Sequence, residues 1–180
     1  MKVSPNLVRA SRIMAWLSLL GAAFYLAAEF LVFLTPGLWG QLGAVEIHHT
    51  GVDITAAIPL DYRVAALCID LIPAALMVWA LVELYRLFLL YAAGEVFSVG
   101  ALSSLNRVAA LMFWYVLVSF VTQAPVSYLL SLYRPPGHRE ISLGFTSHDV
   151  TFLFMAGVVL VIARVMGEAR RVADENESFV

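Results

Sequence analysis

The sequence predicts an all-α membrane fold: a four-transmembrane-helix bundle carrying a small extracytoplasmic β cap. Three observations lead there. First, the 180-residue chain is 62% hydrophobic and 13% charged, with a mean hydropathy of +0.87, whereas soluble domains are roughly half apolar and one-quarter charged. Second, the apolar residues gather into four stretches that approach or exceed the about 20 helical residues, rising about 1.5 Å each, needed to cross a bilayer core. Third, Lys and Arg are concentrated on alternate connections between those stretches. The net charge of −2 implies no bulk attraction to nucleic acid, which is not an expected partner; the lipid bilayer is.

The expected spans are residues 13–34, 64–84, 108–132 and 150–166, in a single integral membrane domain over residues 1–180. Outer loops are expected at 35–63 and 133–149, an inner loop at 85–107 and a cytoplasmic tail at 167–180. The first span, "IMAWLSLLGAAFYLAAEFLVFL", follows Lys2, Arg9 and Arg12 but is longer than a signal-peptide core. It is not followed by a small-x-small site and a polar mature segment, so it reads as a retained helix. Lys2, Arg9, Arg12, Arg86, Arg107, Arg164, Arg170 and Arg171 fall on one side, against Arg63, Arg134 and Arg139 on the other. The positive-inside rule then puts both termini in the cytoplasm of a bacterial inner-membrane protein. Small residues at Gly21 to Ala23, from Ala74 and from Ala156 suit close helix approach in lipid. Cys68 has no partner for a disulfide and reads as a small buried hydrophobe.

The inner loop, "ELYRLFLLYAAGEVFSVGALSSLNRVAAL", predicts that the second helix stops at Gly94 and the third restarts near Ser98. A Leu/Phe-rich helix end is followed here by the step Gly94-Glu95-Val96-Phe97, and the last span runs into the charged tail "GEARRVADENESFV". In these features the chain resembles the bacterial membrane family catalogued as domain of unknown function 2975. The resemblance implies the four-span layout and, through helix-turn-helix regulators encoded near similar families, a membrane-associated regulatory role with a membrane or cytosolic regulatory protein as partner. It brings no catalytic residues and no cofactor. The alternating charges of the tail also read as a solvated helical extension of the fourth span.

The expected outer loops hold all four histidines, His48, His49, His138 and His148. Val45 and Ile47, Val52 and Ile54, and Ile141, Leu143 and Phe145 alternate with the period of strands, and Gly51 suits a hairpin turn. These predict a three-stranded cap over the outer mouth of the bundle. His48, His49, His148 and Asp149, with Glu46 and Asp53 near by, are candidate metal ligands, since imidazole and carboxylate together suit zinc or copper. The competing reading is ordinary polar loop residues, because adjacent histidines in a strand point to opposite faces.

Glu29 and Asp70 are the sharper signal. An Asp at a helix centre costs about 2.5–3.5 kcal/mol on insertion scales, so intramembrane carboxylates face the bundle interior. Both are expected roughly 8 Å below the outer surface, by helix rise. Gln123 lies at a similar level, and Arg63 stands two turns before Asp70 on the same helical face, so the four residues predict a polar pocket under the cap. Two carboxylates brought together without a cation are not both ionised. Such a pocket suits proton binding, cation binding or a structural hydrogen bond. No nucleophile-base pair, zinc-protease helix motif or phosphate-binding glycine loop occurs, so an enzyme is not expected. The sequence thus predicts a non-enzymatic, regulatory or accessory multi-pass membrane protein, with a small transporter or cation-binding protein as the alternative.

Overall fold

A computed structural model describes residues 4–35, 58–135, 137–139 and 141–177. Among the described residues there are four helices: α1 (Pro5–Leu34), α2 (Leu60–Ala92), α3 (Val99–Ser131) and α4 (Ser147–Glu177). All four include a stretch long and apolar enough to cross a membrane, and the chain is a multi-pass membrane protein. The helices run beyond the apolar stretches that predict them. The cause lies in the caps, which use polar residues outside those stretches.

Ser4 starts α1 by accepting the Leu7 N–H at 3.3 Å, with Pro5 in the first turn, where a missing N–H costs nothing. At the other end of α1, the Thr35 hydroxyl donates to Leu31 O at 2.7 Å. α2 ends in a Schellman turn. Gly94 takes φ +86°, its N–H donates to Tyr91 O at 3.1 Å, and the Glu95 N–H donates to Leu90 O at 2.9 Å. Ser98 then caps α3 by accepting the Ala101 N–H at 3.1 Å. α4 starts with a reciprocal capping box. Asp149 accepts from both the Thr146 N–H and the Thr146 hydroxyl at 2.8 Å, while the Asp149 N–H donates back to the hydroxyl at 3.3 Å.

Packing follows chain order: α1 lies on α2, α2 on α3 and α3 on α4. Successive helices are antiparallel. Arg63 at the start of α2 meets the end of α1, Glu83 near the end of α2 meets Arg107 near the start of α3, and Tyr115 and Phe152 bring α3 against α4. Among the described residues α1 and α4 share no backbone approach, so the four rods form an open row. α3 is the most buried helix and α4 the least. Large apolar side chains such as Trp16, Phe24, Trp79, Trp114, Phe154 and Val165 point outward, a surface that suits hydrocarbon and not water. Cys68 is also exposed, correcting its expected burial.

Two apolar clusters hold the row. At the end far from the termini, Phe33, Ile58, Ala66, Leu67, Val126 and Leu130 join α1, α2 and α3. At the termini end, Leu87, Ala101, Leu105 and Ala163 join α2, α3 and α4. There Arg170 of α4 also donates to Phe97 O at 3.0 Å, tying the last helix to the α2–α3 turn.

The β cap is not supported. No strand occurs among the described residues, and the two strands expected around residues 45–54 lie outside them. The third, Ile141 to Phe145, is described and is not a strand. Two of its amides are satisfied by a helix: the Ser142 N–H donates to Ser127 Oγ at 3.0 Å and the Gly144 N–H to Gln123 Oε1 at 3.0 Å. Ser127 and Gln123 are one turn apart on α3, so they meet every second residue of the segment. Its alternation in sequence matches a polar edge of α3, with Phe145 turned back onto Phe120, ring centroids 5.1 Å apart.

Candidate functional site

Three helices contribute to a polar cluster just beneath the far apolar cluster. Tyr25 and Glu29 are one turn apart on α1, so they share a face. Asp70 comes from α2 and Tyr115 from the middle of α3. Glu29 is 8% exposed and Tyr115 4%, and Asp70 is partly buried. The Glu29 and Asp70 carboxyls are near enough to act on each other electrostatically. Tyr25 lies near enough to Glu29 to feel its charge, and its hydroxyl lies 3.5 Å from that of Tyr115. Asp70, Glu29, Tyr25 and Tyr115 thus gather polar groups from α2, α1 and α3 in one place. Among the described residues, no cation acts on Asp70.

Of the four residues expected to form the pocket, the structure brings Glu29 and Asp70 together and gives the other two different work. Arg63 Nη1 donates to Phe33 O at 3.2 Å and to Leu34 O at 3.3 Å. It satisfies carbonyls that the end of a helix leaves without intrahelical donors. Gln123 is 3% exposed, spends Oε1 on the Gly144 N–H, and among the described residues has no partner for Nε2. Tyr25 and Tyr115 take their places. Sequence reasoning missed both, although the spacing of Tyr25 one turn before Glu29 was visible.

The metal candidates divide similarly. His48 and His49 lie outside the described residues. Asp149, 2% exposed, is engaged in the capping box of α4, the work expected of a carboxylate three residues after the N-cap. The His148 ring packs on Phe152 with centroids 4.6 Å apart. Among the described residues no group of three or more His, Cys, Asp or Glu side chains is placed to hold a metal ion.

A second charged cluster lies near the termini end and was not singled out from sequence. Glu83 on α2 is 1% exposed. Its Oε1 accepts from Arg86 at 2.8 Å, from Trp79 Nε1 at 3.4 Å and from Arg107 of α3 at 3.5 Å. The other oxygen, Oε2, has no donor among the described residues. Glu83 falls three residues before Arg86 in the region where orientation is read from arginines alone, so the countercharge between them passed unnoticed.

The family described as protein of unknown function (DUF2975) matches residues 50–180. The chain belongs to the DUF2975 family. The match takes in α2, α3 and α4, so Asp70, Tyr115 and the Glu83 cluster lie within the DUF2975 region, whereas Tyr25 and Glu29 on α1 precede it. The Gly94-Glu95-Val96-Phe97 step of this DUF2975 chain is the Schellman turn after α2, and its Phe97 carbonyl is the one held by Arg170. No curated protein and no solved structure matches the chain.

Proposed function

We infer that this protein is a non-enzymatic, regulatory or accessory membrane component that works by reversible proton binding at the Glu29–Asp70 pair. The gathering of two intramembrane carboxyls from facing helices beside Tyr25 and Tyr115 carries the reading. Two carboxyls brought together without a cation do not both ionise, so the pair holds a proton. Intramembrane carboxyls that face a helix interface are functional candidates for the same energetic reason that makes them rare. The hydroxyls of Tyr25 and Tyr115 continue the run of exchangeable groups toward the middle of α3. Asp149 of α4 also acts on Tyr115 electrostatically. Loss of the shared proton would set two negative charges against each other across the α1–α2 contact, and the two helices would move apart. A regulatory partner would read that movement. The side on which Lys and Arg are enriched supports an inner-membrane placement with both termini in the cytoplasm.

A second reading, cation binding or transport, draws on the same group of carboxyl and hydroxyl oxygens, a ligand set for a hard cation. Protein reconstituted in liposomes with a pH-sensitive dye tests both. Proton binding predicts about one proton taken up per chain on a jump from alkaline to neutral pH, no sustained flux, and loss of that uptake in Glu29→Gln and in Asp70→Asn. Sustained flux that both substitutions abolish would favour transport. Uptake unchanged in both variants would overturn the site altogether.

A further inference from the structure

The Glu83 cluster lines an open cleft of about 430 Å³ between α2 and α3, whose other walls include Ser103, Ser104 and Leu90. We propose that this cleft binds the phosphodiester headgroup of an anionic membrane phospholipid, with Arg86 and Arg107 as the phosphate-binding pair.

The two arginines come from different helices and converge on a single carboxylate oxygen, so their guanidiniums are neighbours. One buried carboxylate cannot neutralise two guanidiniums, and the cluster keeps a net positive charge. Both arginine side chains remain 57% exposed. Each uses one Nη1 contact with Glu83 among the described residues, and a guanidinium has five N–H donors in a planar fork suited to phosphate. Glu83 is the anchor that orients them. Its burial and its Trp79 contact fix Oε1 in place, so the free edges of both forks are held at the cleft.

The depth of the cleft favours a lipid over a soluble phosphate. Arg86 lies six residues before the end of α2 and Arg107 eight after the start of α3, about 9–12 Å along the helices. That is where the headgroup layer flanks the hydrocarbon core of a bilayer whose total thickness is about 40–45 Å. Basic pockets between helices at this level hold lipid headgroups. Trp79, on the bilayer-middle side of Glu83 and 54% exposed, would lie against the first carbons of an acyl chain, a contact that inorganic phosphate cannot use. The proposal concerns the opposite end of the row from the Glu29–Asp70 pair and stands whatever that pair does.

The test is native mass spectrometry of the full chain, released from liposomes into mild detergent, after exposure to phosphatidylglycerol, to diacylglycerol without a phosphate, or to inorganic phosphate. One phosphatidylglycerol should stay bound per chain, with affinity reduced about tenfold or more in Arg86→Gln and in Arg107→Gln. Diacylglycerol and inorganic phosphate should bind far more weakly. The double substitution Arg9→Gln and Arg12→Gln, which removes twice the charge of either single variant at the same end of the row, should leave retention unchanged. Glu83→Gln should keep or increase it, because the countercharge is lost while a side-chain acceptor remains. That variant separates lipid binding from a merely structural cluster. Equal retention by the Arg86 and Arg107 variants, equal loss in the Arg9/Arg12 variant, loss in a folded Glu83→Gln protein, or binding of inorganic phosphate as tight as that of the lipid would overturn the proposal.

Discussion

Replacing Gln123 by leucine removes the acceptor that holds the Gly144 amide, and the consequences of this change separate cleanly. In the native protein Gln123 is 3% exposed, and its Oε1 takes the Gly144 N–H at 3.0 Å. Leucine is close in size but accepts nothing, so the amide must find water by local opening or remain without a partner, a cost of about 1–3 kcal/mol. The same substitution removes Nε2, which is buried without a partner among the described residues, and that gain offsets much of the loss. Global stability should therefore change by less than about 1 kcal/mol, while the Gly144 amide loses protection. At about 1.4 kcal/mol per tenfold, the local cost corresponds to exchange roughly 5–150 times faster at Gly144. Hydrogen exchange read at single-amide resolution in detergent or nanodiscs measures it directly. The Ser142 amide, held by Ser127 at 3.0 Å, is the internal control and should respond first to Ser127→Ala. Unchanged exchange at Gly144, or a uniform rise across α3 and α4, would refute the view that these two side chains replace a strand as partners of the segment.

Other substitutions test the remaining contacts. Asp149→Ala removes the acceptor from both Thr146 bonds and should lower stability by about 1 kcal/mol, seen as a lower Tm with faster exchange confined to the first turn of α4. Tyr25→Phe keeps the Glu29–Asp70 contact but breaks the hydroxyl link to Tyr115; proton uptake should survive at the same stoichiometry with altered kinetics, and a lost stoichiometry would show that Tyr25 is part of the proton site. Arg170→Ala releases the Phe97 carbonyl and should raise protease cleavage in the α2–α3 turn without loosening Ser142 or Gly144. Unchanged cleavage there would mean that the Schellman turn alone fixes that connection.

Much of the architecture was legible because lipid imposes a simple rule. Every backbone polar group in hydrocarbon must be satisfied within its segment, so long apolar runs declare helices, and Gly94 and Ser98 mark a stop and a start through local chemistry alone. Ile141 to Phe145 misled for a physical reason. Alternation reports that the two sides of an extended segment differ, but not what each side meets: here Ser142 and Gly144 bond the Ser127 and Gln123 edge of α3, while Ile141, Leu143 and Phe145 are exposed. Glu29 and Asp70 were legible as a pair because few residues other than interior ones tolerate charge at that depth. Arg63 shares the helical face of Asp70, yet the nearer carbonyls at the end of α1 compete for its guanidinium, a tertiary choice that spacing within one helix does not encode. Tyr25 and Tyr115 were hidden among the aromatics of the spans, since a tyrosine inside a membrane helix carries no mark of whether its hydroxyl has a partner. Glu83 was hidden by proximity to Arg86, which makes it look like an ordinary pair on a helix surface.

The central claim is that Glu29 and Asp70 share a proton inside the membrane. Infrared spectra of the protein in lipid at neutral pH, taken for the wild type and the two single variants, address it most directly. A protonated-carboxyl C=O band should be present in the wild type and lost in both Glu29→Gln and Asp70→Asn, since the remaining carboxylate can then accept from an amide. A wild-type spectrum without that band, or a band that persists unchanged in both variants, would contradict the account.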